Sequence, residues 1–132
     1  MPIDVNWYVP DRVIMMRSHG DLTIEEAKAA NKKILEFLDL GKPLIHTLVD
    51  QLDMGNFPIS LRDNKDALSA IKHPNVGWTV VYGNPNKIAD FISGMIARMG
   101  RLRYRKFTSK EEAIAFLADQ DPSVADALLA QK

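Results

Sequence analysis

Two almost unbroken apolar runs constrain this chain most: Leu-Ile-His-Thr-Leu-Val at Leu44–Val49 and Val-Gly-Trp-Thr-Val-Val-Tyr at Val76–Tyr82. Both have the length of a strand and neither alternates cleanly, so each fits a central strand buried on both faces of a parallel sheet. Parallel neighbours need a crossover, normally a helix, to carry the chain back between them. The chain has 132 residues and no cysteine. That length fits one domain, residues 1–132, with a full apolar core and no disulfides. The missing thiols exclude cysteine nucleophiles and thiolate zinc sites.

The flanking segments supply the remaining elements. Asn6–Val9 and Val13–Ser18, joined through Pro10-Asp11, predict a short antiparallel hairpin, followed by His19-Gly20-Asp21 as a polar turn. Thr23 with Glu26 forms a capping box that opens a helix from Ile24 to Leu40. Its apolar stripe runs through Ile24, Ala27, Asn31, Ile34, Leu35 and Leu38, and Gly41 is placed for a left-handed C-cap. Asp50 to Ile59 reads as a long loop, after which Ser60 caps a helix from Leu61 to about Ile71. Gly83-Asn84-Pro85-Asn86 turns the chain into a third helix with Ile88, Phe91, Ile92, Met95, Ile96 and Met99 on its apolar stripe. Arg101–Phe107 alternates as a half-exposed edge strand, Ser109 with Glu112 caps another helix, and Ser123–Gln131 forms a short last one. The order β-β-α-β-α-β-α-β-α predicts an α/β fold. A mixed five-stranded sheet, mainly parallel with an antiparallel N-terminal edge hairpin, carries about five helices on its faces.

Charge and hydropathy narrow the function classes. Seventeen basic residues balance seventeen acidic ones, which argues against a dedicated nucleic-acid binder. No apolar run approaches the ~20 residues of a membrane span, and the expected location is the cytoplasm. The three histidines, His19, His46 and His73, show no metal-ligand spacing, so neither a metal nor another cofactor is expected. His46, inside a buried strand, reads as a hydrogen-bonded core histidine. Glu25-Glu26 and Glu111-Glu112 lie in first helical turns, where acids complement the helix dipole.

With those elements placed, the chain resembles the small bacterial STAS/CRAL-TRIO-like group, related in fold to the anti-sigma-factor antagonists. The resemblance is carried by Val13–Met16, Gly20-Asp21-Leu22-Thr23-Ile24-Glu25-Glu26, Leu48-Val49-Asp50, Val80-Val81-Tyr82-Gly83, and Phe107 with Glu111–Leu117. It spans nearly the whole chain and is specific for fold rather than activity. Members of that group are largely uncharacterised and dimers are common among them, which implies a homodimer here. The antagonists are phosphorylated on a serine that opens the helix after the central strand, and Ser60 holds that place. This chain lacks the Asp-Ser-Ser-Gly pattern of that turn, and helix capping already accounts for Ser60. CRAL-TRIO relatives bind lipids but are usually much larger, and a chain this short leaves little volume for an acyl chain.

Ligands of open α/β sheets bind beyond the carboxyl ends of parallel strands. That rule nominates Asp50, Asp53, Asn56 and Phe57 after the third strand, and Gly83, Asn84 and Asn86 after the fourth. Arg101, Arg103 and Arg105 share one face of the last strand and form a second candidate, a grip for an anion or an acidic partner. Their bland role is to block sheet extension, with the acids after Ser109 neutralising them. The stripe of Phe91, Met95 and Met99, with Gly94 and Ala97, suits a dimer contact. The leading expectation is a non-catalytic binding or regulatory module, a homodimer taking a small ligand or a regulatory protein. The alternative is an enzyme using His19 or His46 with Asp50 as an acid–base pair.

Overall fold

A computed structural model describes residues 3–21, 23–54, 73–83, 98 and 103–130. Five strands form one sheet in the order β1 (Ile3–Val9), β2 (Val13–Gly20), β3 (Ile45–Met54), β4 (Val76–Tyr82) and β5 (Arg103–Phe107). β1 pairs with β2 antiparallel, and every later neighbour is parallel. Helices α1 (Ile24–Leu40), α2 (Lys110–Gln120) and α3 (Ala125–Ala130) accompany them, with a 3-10 turn at Pro122–Val124. The mixed α/β sheet is therefore the one the apolar runs predict. The helices expected at Leu61–Ile71 and after Pro85 lie outside the described residues, as does the dimer stripe of Phe91, Gly94, Met95, Ala97 and Met99.

Strand alternation sends side chains to two cores. On one face Ile3, Val5, Ile14, Ile45, Ala30 and Leu38 bury together under α1, with Trp7 stacked on Phe37 at 4.8 Å between centroids. On the other, Val13, Leu48, Val80 and Tyr82 pack beneath Ala113, Ile114 and Leu117 of α2, Val124 and Leu128. Fully burying a leucine such as Leu117 contributes about 1.5–3 kcal/mol, so these rows hold the terminal helices down.

Local signals decide the helix starts. Thr23 Oγ1 accepts from the Glu26 N–H at 3.2 Å while Glu26 Oε1 accepts from the Thr23 N–H at 2.9 Å, completing the box. Ser109 caps α2 in the same way, its hydroxyl accepting from the Glu112 N–H.

The structure corrects several boundaries. β2 runs through His19 to Gly20, so His19 sits on a strand rather than in a turn; Gly20, at φ +68°, ends it. β3 continues through Asp50 and Asp53 to Met54, where a loop was expected. Pairing of Arg17 with Asp50 and His19 with Asp53 holds that segment extended despite the low strand propensity of aspartate. β1 likewise starts three residues earlier than its strand formers suggested, because it pairs with Ser18, Arg17 and Met16. Gly41 ends α1 in extended backbone, not left-handed. Glycine is needed there for space, since a Cβ would stand 2.7 Å from both the Asp11 carbonyl and Ile45 Cδ1. Ala30 and Phe37 also join the α1 core contacts although neither lay on the expected stripe.

Candidate functional site

The carboxyl ends of the parallel strands carry a row of three polar side chains and one aromatic ring. Arg17, Asp50, Tyr82 and Phe107 are cross-strand neighbours on β2, β3, β4 and β5, on the face that packs against α2. The Tyr82 hydroxyl donates to Asp50 Oδ2 at 3.1 Å and lies 3.7 Å from Met15 Sδ. Asp50 Oδ1 accepts from the Leu52 N–H at 3.0 Å. Burial pushes the Tyr82 hydroxyl well above the usual phenol pKa, and the charge of Asp50 and its hydrogen bond add to the rise. Tyr82 is therefore a fixed donor at neutral pH. Arg17 reaches over this pair more loosely, 3.9 Å from Asp50 and 3.7 Å from Asp53, with its side chain 55% exposed. Such an arginine can exchange these carboxylates for an incoming anion at little cost.

Gly83 follows at φ +121°, and a Cβ there would meet the Gln51 carbonyl carbon and the Leu52 nitrogen at 2.7 Å. This close approach lets the chain leave β4 directly beside β3. Of the expected mouth residues, Asp50, Asp53 and Gly83 gather at this end, while Asn56, Phe57, Asn84, Asn86 and Ser60 lie outside the described residues. Arg17 and Tyr82 were missed: register, which one strand alone does not reveal, places them beside Asp50.

A second polar cluster sits at the opposite, amino end. His46 is 1% exposed. Its Nδ1 accepts from the Trp78 N–H at 2.9 Å, so in the neutral ring Nε2 carries the proton and donates to Asp121 Oδ2 at 2.8 Å. Arg12 Nη2 donates to the same oxygen at 2.9 Å, while Arg12 Nε donates to the Leu44 carbonyl. Asp121 Oδ1 receives the Ser123 N–H and hydroxyl, capping the 3-10 turn. Burial lowers the His46 pKa, and the nearby charges of Arg12 and Arg103 lower it further; the bond and charge of Asp121 oppose them without prevailing. Burial pushes Asp121 upward, but the Ser123 hydroxyl, His46 and the Ser123 N–H hold it at about 2.

This geometry bears on catalysis. With both ring nitrogens engaged and no exposed surface, His46 has no lone pair to offer a substrate. Nor does it touch Asp50: its carboxylate partner is Asp121, which sequence reading did not single out. His19 pairs with Asp4 at 2.9 Å, and His73 with Asp39 at 2.8 Å. The structure thus joins neither His19 nor His46 to Asp50. Among the described residues, no three His, Asp or Glu side chains gather to hold a metal, and no helix is long and apolar enough to cross a membrane.

On β5, Arg103 and Arg105 share the face of Trp78 and Val80, as the alternation predicts; Arg101 lies outside the described residues. Arg105 lies over two rings, 5.1 Å from the Phe116 centroid and 5.8 Å from that of Phe107. Tyr104 is half-buried on the other face.

Comparison with solved structures gives the class of fold. The chain is similar to an uncharacterised protein of the DUF3478 family with a SpoIIAA-like fold from Shewanella loihica PV-4, at 19% identity and a TM-score of 0.61; the match covers 87% of this chain and 91% of that one. It is also similar to the anti-sigma factor antagonist SpoIIAA in its unphosphorylated form, at 12% identity and a TM-score of 0.56, over 89% of this chain and 96% of that one. No protein-family model and no curated protein sequence matches. The chain has the SpoIIAA-like, STAS-type fold.

Proposed function

We propose that this protein is a non-catalytic regulatory module, a cytoplasmic homodimer that binds a small ligand or a regulatory protein at the carboxyl ends of β3 and β4. The observation that carries the reading is the Arg17–Asp50–Tyr82 row. It joins a rigid, buried carboxylate to a loosely held, exposed arginine at the edge where open α/β sheets take their ligands. Asp53 and Gly83 border it, and the same reading keeps Asn56, Phe57, Asn84 and Asn86, which lie outside the described residues, as candidate ligand contacts from their place in the sequence. The likeness to an anti-sigma factor antagonist supports a switch role over chemistry, and the occupied nitrogens of His46 favour the same choice.

Native mass spectra of gently purified protein, beside denaturing spectra of the same sample, test this. A dimer carrying mass that vanishes on denaturation identifies a bound ligand, and Arg17→Ala and Asp50→Asn should then reduce its occupancy. A clean dimer turns the search to a protein partner, sought by pull-down with wild type against the same two variants. A monomer removes the homodimer, and unchanged capture by both variants removes the mouth. Within the same reading Ser60 is the residue to be phosphorylated. If Ser60→Ala does no more than lower stability by the ~1 kcal/mol of a lost cap, the phosphorylation element fails.

A further inference from the structure

Beyond that mouth, the face of β5 presents a second surface, and we infer that it docks an acidic, extended segment of a partner protein through Arg103 and Arg105. The two arginines stand two residues apart on one strand face, so their side chains are separated by roughly 6–7 Å along the strand. An extended peptide spaces its alternate side chains by the same distance, which lets two carboxylates meet two guanidinium groups in register.

The bland account of these charges is that they block sheet extension and are neutralised by the acids of α2. The structure does not provide that neutralisation. Glu112 turns to the Thr108 hydroxyl at 2.6 Å and the Ser109 hydroxyl at 3.2 Å, and these donors lower its pKa. Among the described residues, no carboxylate lies within ion-pair distance of Arg103 or Arg105. Both arginines are exposed.

Arg105 is also held in position. Its guanidinium rests on Phe107 and Phe116, and Phe116 meets Trp78 edge to face at 4.9 Å. Stacking restrains the long side chain in advance, so less rotamer entropy remains to be lost when a carboxylate binds. The half-buried rings beside it, with Phe107 two positions beyond Arg105 on the same strand face, offer apolar area to the next same-face residue of the peptide, two positions beyond the second acid. Arginine with such aromatics is the composition of binding hot spots.

The aromatic share distinguishes the occupant. Inorganic phosphate would use the arginines and leave the rings idle, whereas a nucleic acid needs a longer basic track than a chain with balanced charge provides. An acidic peptide with two acids on one face and an apolar residue next on that face, an acid-x-acid-x-apolar pattern, uses both features.

The test is a titration of the whole protein with a short synthetic peptide of sequence Glu-Ser-Glu-Ser-Val, which puts both acids and the valine on one face when extended, followed by NMR and by fluorescence anisotropy at low salt. Binding should perturb Arg103, Arg105, Phe107 and Phe116 and weaken as salt rises. Arg105→Glu should weaken it by at least about tenfold, equivalent to ~1.4 kcal/mol. Arg105→Lys, which keeps the charge but loses the planar stacking, should weaken it less. Arg103→Glu gives an independent reading should Arg105→Glu lower the melting temperature sharply. Absence of binding, a footprint away from β5, or equal affinity of the reversed variants overturns the inference. So does stronger competition at this face by inorganic phosphate or a short oligonucleotide, which would assign it to phosphate-bearing ligands. Although Phe107 also neighbours Tyr82, none of these variants alters Arg17, Asp50 or Tyr82, so the two readings fail separately.

Discussion

His46 Nε2 lies 2.8 Å from Asp121 Oδ2, joining residues 75 positions apart in the chain. The contact fastens the C-terminal helices to the amino end of the sheet. Arg12, from the β1–β2 turn, shares the same carboxylate oxygen. One aspartate thus connects the hairpin, a central strand and the start of the 3-10 turn.

Asp121→Ala should therefore be among the more damaging polar substitutions. It leaves a buried imidazole and a half-buried guanidinium without their acceptor and removes the cap on Ser123. Charge-assisted hydrogen bonds of this kind contribute about 1.5–3 kcal/mol, so a loss of about 2–3 kcal/mol is expected in urea denaturation. A loss below about 1 kcal/mol would show that the network is marginal.

Stability should fall with acid in two stages. The folded-state pKa of His46 is lowered from 6.5, so the unfolded chain binds its proton first; that contribution is present above pH 6.5 and declines below it. Asp121 is held at about 2 against an ordinary 3.8, so its contribution is present above pH 3.8 and is lost as pH falls towards 2. Urea midpoints measured against pH check both signs. His46→Gln should flatten the upper stage and leave the lower one recognisable.

Gly77→Ala should destabilise although alanine is a small residue. A Cβ there would stand 2.5 Å from His46 Nδ1 and 2.6 Å from Cε1. The ring cannot swing aside without breaking its bonds to Trp78 and Asp121. A penalty of about 1–3 kcal/mol is expected for such overpacking, read as a lower thermal midpoint. Pairing it with a smaller residue at 46, such as His46→Ala, should make the two losses less than additive.

Tyr82→Phe removes the hydroxyl that donates to Asp50 while keeping the ring in the core. The expected cost is about 1–2 kcal/mol at neutral pH. The same variant should be less sensitive to alkali. The raised Tyr82 pKa favours folding below about pH 10 and its contribution is lost above that, so the wild type should weaken there more steeply. Identical alkaline limbs would count against a buried Tyr82–Asp50 bond.

Thr23→Ala tests the first capping box. Losing the Oγ1 acceptor for the Glu26 N–H should cost about 1 kcal/mol, while Glu26→Ala should cost less because the Thr23 cap survives. Comparing the denaturation midpoints of the two variants separates the halves of the box.

Much of the fold was legible in local pattern. The bounds of α1, Ile24 to Leu40, follow from a capping box at one end and Gly41 with Pro43 at the other, all signals within a few residues of where they act. β4 was legible as a continuous apolar run with Gly83 at its end. The helix caps at Thr23 and Ser109 were equally local. The candidate mouth was legible only as an end of the sheet, since Asp50 and Gly83 follow apolar runs that had to be strands.

By itself, then, the sequence determined the order of the described elements, the parallel centre of the sheet and the faces its strands bury, because periodicity and capping act between near neighbours. Only the tertiary structure decided that β3 runs on through Asp50 and Asp53, because pairing with β2 supplies ladder bonds that aspartate's own preference would decline. It also decided which acid meets which base. His46 finds Asp121 rather than Asp50, Arg17 meets Asp50 and Asp53, and Arg105 turns to two phenylalanines instead of the glutamates of α2. Those pairings depend on strand register and helix docking. Both are fixed by the summed burial of the two cores, a quantity that no short window of sequence contains.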